Sequence, residues 1–101
     1  MLTEGVKIRI TEAVFKLGLG DATRDKAIDY ASLYIERIGK TPRSETCIAG
    51  CTVYIASVFM NERRTQTAVD QALGLSKGSI CRSYRKMVDV IRPELMADIR
   101  I

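Results

Sequence analysis

The sequence predicts an all-α domain of five helices, with the third buried at the centre. Three observations carry this. Apolar residues recur at spacings of three and four through every long segment. Glycines, or a polar residue ahead of a proline, mark the boundaries between those segments. No stretch alternates apolar and polar residues as a half-buried strand would. The 101 residues suffice for one domain with one core, taken as 1–101, and the 47% hydrophobic and 28% charged residues are ordinary for a globular protein.

Leu2, Val6, Ile10, Val14 and Leu17 form the apolar stripe of an amphipathic first helix. Gly18 and Gly20 end it and open a short loop, GLGDAT. Asp21 or Thr23 is placed to cap the second helix. Its inward stripe is Ala27, Tyr30, Ala31, Tyr34, Ile35 and Ile38, and Gly39 stops it.

Thr41 ahead of Pro42 reads as the N-cap of a third helix that runs to about Met60. The run CIAGCTVYIASVFM, from Cys47 to Met60, is apolar almost all round, so this helix should be wrapped by the others. Its 14 residues are too few to span a bilayer. Ala49, Gly50, Cys51, Ala56 and Ser57 are small enough to let neighbouring backbones come close.

Asn61 to Arg64 make a polar break, after which Thr65 can cap a short fourth helix through Leu73. Gly74 supplies a turn, Leu75 plugs it, and Ser76 is placed to cap the fifth helix. There Ile80, Tyr84, Met87, Val88 and Ile91 share one face. Gly78, Arg82, Arg85 and Asp89 share the other, with Cys81 at the boundary. Pro93 is predicted to end the run, with a frayed or short helical tail after it.

Helices four and five thus read as a helix–turn–helix over about residues 65–91. The charge gathers there. Residues 1–60 carry eight Lys/Arg and seven Asp/Glu, whereas residues 63–86 carry Arg63, Arg64, Lys77, Arg82, Arg85 and Lys86 against Asp70 alone. A local basic surface attracts phosphate, and a helix–turn–helix places its second helix in the major groove. Arg82 and Arg85 point away from the core, as base or phosphate contacts. Lys77 sits at the helix N-terminus, an unfavourable place for a cation unless it serves a phosphate. Arg63 and Arg64 either clamp the DNA backbone or keep a loop soluble. Thr65 and Ser76 are caps first, at positions that also reach phosphates. Ser79 and Ser83 are candidates for phosphate hydrogen bonds. Tyr30, Tyr34, Tyr54 and Tyr84 are spaced for packing.

Other chemistry has few players. There is no histidine, and no Ser, Cys or glycine-rich constellation of the kind that supports nucleophilic or phosphoryl chemistry, so no catalysis and no cofactor are expected. The three cysteines, Cys47, Cys51 and Cys81, are unpaired in spacing and fit a reducing compartment; Cys47 and Cys51 read as buried small residues, not as a metal site. The N-terminus alternates charged and apolar residues and offers no secretory leader, and no membrane partner is expected.

Three segments, KLGLGDATRDKAIDYASLY, TPRSETCIAGCTVYIAS and ERRTQTAVDQALGLSKGSICRSYRKM, together resemble a cyclin-like repeat of the transcription factor B family, the archaeal and eukaryotic general initiation factors. The most specific parts are Ala49 to Ala56, the Arg-Arg-Thr-Gln lead-in at 63–66, and the spacing of Gly74, Ile80 and Tyr84. The resemblance covers roughly residues 10–90. It implies a five-helix cyclin-box-like domain that binds double-stranded promoter DNA and meets the TATA-binding protein and the RNA polymerase machinery. It also implies an intracellular location: nucleoid-associated in an archaeon, nuclear in a eukaryote. The family's base-reading positions fall on Gly78 and Cys81, where relatives usually carry Val and Arg, so a sequence preference that is different or weak is expected. The family pairs two such repeats behind a zinc ribbon; the sequence here holds one repeat and no ribbon, as expected either of a domain cut from a longer factor or of a small stand-alone relative, and a homodimer or a partner repeat would restore the pair. The competing reading is a cyclin-box adaptor that holds partner proteins without touching DNA.

Overall fold

The computed structural model describes residues 4–39 and 44–98, and they form five helices and no strand. These are α1 (Glu4–Leu17), α2 (Asp21–Ile38), α3 (Glu45–Phe59), α4 (Gln66–Ala72) and α5 (Ser79–Asp98). Every other helix packs on α3. After Glu45 this helix carries no charged side chain, and Ile48–Val53 and Ile55–Ser57 are all buried. Its buried hydroxyl on Thr52 donates back to the carbonyls of Ile48 (2.9 Å) and Ala49 (3.0 Å), so no polar atom is stranded there.

Around α3 lie Val6, Ile10 and Val14 from α1, Ala27, Tyr30, Ala31 and Tyr34 from α2, and Ile80, Met87, Ile91 and Leu95 from α5. Each large side chain buried in this way contributes about 1.5–3 kcal/mol. Ile38 departs from the expected stripe and is 38% exposed. Leu2, Thr41 and Pro42 lie outside the described residues.

Three helices end in the same way. After α1, Gly18 (φ 67°) donates to the Phe15 carbonyl and Leu19 to that of Val14. After α3, Asn61 (φ 58°) and Glu62 bond to Val58 and Ser57; after α4, Gly74 (φ 68°) and Leu75 bond to Gln71 and Asp70. This is the Schellman pairing, which satisfies the last carbonyls of a helix and needs a left-handed residue at its centre.

Three boundaries differ from the expectation. The cap of α3 is Ser44, whose hydroxyl accepts from the Cys47 amide at 3.1 Å, and the helix starts at Glu45. At the start of α2 the cap is neither Asp21 nor Thr23: the cap position is Gly20, with no side-chain cap, and Glu62 reaches over to it from the α3–α4 loop. Its carboxylate accepts from the Gly20 amide (3.0 Å) and from the hydroxyl of fully buried Thr23. Finally, α5 does not stop at Pro93 but runs on to Asp98. Proline removes one helical donor and crowds the preceding turn. Here Arg37 of α2 braces both sides of it, donating to the Val90 carbonyl at 3.1 Å and forming a two-pronged ion pair with Glu94. That bond to Glu94 raises the Arg37 guanidinium further above its ordinary pKa.

Candidate nucleic-acid interface

The expected helix–turn–helix over about residues 65–91 falls on α4, the turn after it and most of α5. Thr65 caps α4, its hydroxyl accepting from the Ala68 amide at 3.0 Å. Helix α4 buries Val69 fully and Asp70 to 2% exposure. Gly74 turns the chain, and Leu73, Leu75 and Ile80 converge on the bare backbone of Gly50 in α3. A Cβ there would lie 3.0 Å from Leu75, 3.2 Å from Leu73 and 3.3 Å from Ile80. The glycine lets the whole turn settle against the central helix.

Ser76 does not cap α5. A second left-handed glycine, Gly78 (φ 85°), turns the chain again before the helix begins at Ser79, which leaves Ser76 exposed and too early. The cap is Asp70. One carboxylate oxygen accepts from the Gly78 amide at 3.1 Å and the other from the Ile80 amide at 3.2 Å. An anionic acceptor suits the positive end of a helix. It also occupies two of the amides that Lys77 was expected to share with a phosphate. Asp70 is the one acidic residue of the segment 63–86, and that singularity was the signal for it.

The cations divide into two kinds. Arg64 is held inside the frame: its guanidinium donates to the carbonyls of Leu17 (3.0 Å), Glu62 (2.9 Å) and Arg63 (3.3 Å). It ties the α3–α4 loop to the end of α1, beside the place where Glu62 holds the start of α2. The Glu62 carboxyl is pushed below its ordinary pKa, mainly by the Thr23 hydroxyl, then by the Gly20 amide and the nearby Arg64 charge, against an opposing effect of burial.

Arg63, Lys77, Arg82, Arg85 and Lys86, by contrast, are exposed. None of the five pairs with a carboxylate among the described residues, and only Arg82 makes a side-chain hydrogen bond, to the Lys77 carbonyl at 3.4 Å. Among the described residues, the surface arginines outside 63–86 are matched: Arg9 with Glu45, Arg24 with Asp21 and Asp25, Arg37 with Glu94, Arg92 with Asp89. Cys81 is exposed and free on the same helix, and Ser79 and Gly78 are half-buried. Ser83 turns inward and is only 8% exposed, so it does not belong to this face. Tyr84 packs edge-on against Tyr54, with ring centres 5.5 Å apart.

Between α3 and α5, a groove of about 300 Å³ is lined chiefly by apolar side chains, among them Tyr54, Val58, Val88, Leu95 and Met96. Among the described residues no group of three or more His, Cys, Asp or Glu side chains could hold a metal ion, and no helix is long and apolar enough to cross a membrane.

Comparison with known proteins places this architecture. A family model for the transcription factor TFIIB repeat matches residues 5–90. The chain is similar to transcription initiation factor IIB of Archaeoglobus fulgidus, 30% identical over 80 residues that make up 79% of this chain and 24% of that protein. It is similar also to transcription initiation factor IIB 1 of Thermoplasma volcanium, 33% identical over 78 residues, 76% of this chain and 25% of that one. A third relative, transcription initiation factor IIB of Methanocaldococcus jannaschii, is 31% identical over 74 residues, 73% of this chain and 11% of its own length. The chain thus spans about a quarter or less of these curated relatives. With five helices around a buried third and a family match over most of its length, the chain belongs to the transcription factor TFIIB repeat family.

Proposed function

We propose that this domain is a DNA-binding module of a transcription initiation factor, docking α5 in the major groove of promoter DNA. The observation that carries the reading is the unmatched charge. Among the described residues every ion-paired arginine lies outside 63–86, while Arg63, Lys77, Arg82, Arg85 and Lys86 stand exposed within that segment without a carboxylate partner. A surface meant only for water gains from interspersed carboxylates; one meant for phosphate does not.

In this reading Arg63, Lys77, Arg85 and Lys86 grip phosphates, with Thr65, Ser76 and Ser79 adding hydroxyl donors. Gly78, Cys81 and Arg82 face the bases, and Arg64 positions the loop beneath them. The TATA-binding protein and the RNA polymerase machinery are the protein partners that fit such a role.

Affinity for duplex DNA should fall steeply with salt. Three to five phosphate contacts correspond to a log–log slope of about −3 to −4.5. The double variant Arg82→Ala, Arg85→Ala should abolish most of the binding. Amide shifts in a 15N titration with duplex should cluster in residues 63–86. The adaptor reading has one observation in its favour, the apolar groove between α3 and α5. It predicts negligible duplex affinity, and shifts around Tyr54 and Val88 that arise only when a protein such as the TATA-binding protein is added.

A further inference from the structure

We propose that Arg82, seated over the bare backbone of Gly78, is the residue with which α5 reads a guanine; the inference rests on the DNA-binding reading above. In a helix–turn–helix the base edges are met by residues near the start of the second helix. The first turn of α5 offers few candidates. Gly78 has no side chain, Ser79 is short and half-buried, Ile80 is fully buried, and Cys81 carries no strong donor.

Arg82 is the first long polar side chain, and helical side chains lean toward the N-terminus of their helix. The geometry follows that rule. The Arg82 Nη1 donates to the Lys77 carbonyl at 3.4 Å and lies 3.0 Å from where a Cβ on Gly78 would be. The guanidinium therefore fills the volume that any other residue at 78 would claim for itself. Gly78 is tied there for a separate reason, because its amide is held by Asp70 in a left-handed conformation (φ 85°) that strongly favours glycine. One left-handed glycine thus both starts the helix and clears the seat for the arginine.

The consequence is an arginine anchored at one donor, with four donors left and no carboxylate partner among the described residues. Anchoring lowers the cost of ordering the fork, and an ordered fork matches the O6 and N7 acceptors of guanine. Arg85, one turn further on, makes no such bond and keeps its full freedom, which suits a phosphate contact.

The test is selection from a randomised duplex pool with the full chain, comparing wild type, Arg82→Lys and Arg85→Lys. Both variants keep the charge and alter only exposed side chains. The wild type should enrich guanine at one position. Arg82→Lys should lose that preference by about 5- to 100-fold, with the salt dependence of bulk binding unchanged. Arg85→Lys should retain it. Binding by the wild type without any guanine position, or a guanine preference that survives Arg82→Lys, overturns this inference alone. No binding of the pool by the wild type overturns the DNA-binding reading and this inference together.

Discussion

Replacing Asp70 tests the clasp that sets the geometry of the turn. The Asp70→Ala variant leaves the amides of Gly78 and Ile80 without their acceptor. Ile80 is fully buried, so water cannot take over there. A stranded buried donor costs about 1–3 kcal/mol, and loss of an N-cap at a more open site costs about 0.5–2 kcal/mol. Together they predict a loss of about 2–4 kcal/mol. That is a large share of the 5–15 kcal/mol, roughly, by which a domain of this size is stable. Asp70→Asn keeps one carbonyl oxygen and can serve one amide, so it should cost about half as much. Urea unfolding followed by circular dichroism reads both values, with the midpoint falling and the slope unchanged. Hydrogen exchange should show the loss of protection first at Gly78 and Ile80. An alanine variant within about 0.5 kcal/mol of wild type would refute the reasoning, because surface substitutions of no structural consequence fall in that range.

Two further outcomes follow from the α3–α4 loop. Arg64→Ala should lower the melting temperature by breaking its bonds to the Leu17, Glu62 and Arg63 carbonyls, a loss of about 1–2 kcal/mol, whereas Arg85→Ala should leave stability intact and weaken duplex binding. If the two arginines exchanged those effects, the division into frame and contact residues would be wrong. Glu62 supplies the pH dependence. Its folded pKa is depressed, so its contribution is fully present above the ordinary glutamate value of 4.5 and is lost as pH falls through the lower folded value. The stability gap between wild type and Glu62→Gln should therefore narrow on acidification below that range. A gap that stays constant from neutral pH to the bottom of the acid transition would rule this out.

The helices were legible because their signals are local. Ile10 and Val14, or Met87 and Ile91, mark a buried face within a turn of one another, and Thr65 caps an amide three residues ahead. What the sequence hid is carried by bonds that cross the fold. Glu62 reaches the α2 start 42 residues back, and Arg64 reaches Leu17 across 47. Neither spacing has a period to betray it. Ser76 looked like a cap because serine usually is one; only the second left-handed glycine, two residues on, moved the helix start out of its reach. Pro93 looked like a stop because its ring ordinarily is one, yet α5 runs through it, with Arg37, 53 residues earlier, bonded to the nearby Val90 carbonyl. Within the candidate site, the cationic residues could be read directly. The split between Arg64 and its neighbours could not, since it depends on which carbonyls lie nearby in space.

Gly50 has one more implication. By letting Leu73, Leu75 and Ile80 settle on α3, it makes the α4–α5 corner part of the same packed interior as the other helices. In the DNA-binding reading proposed above, a probe that is stiff in this way has little shape to yield when it meets a double helix, so any accommodation falls to the groove. Easily kinked pyrimidine–purine steps would then be favoured even where no side chain arrives. Sites chosen by this domain should accordingly carry preferences at uncontacted base pairs, written by the flexibility of the duplex.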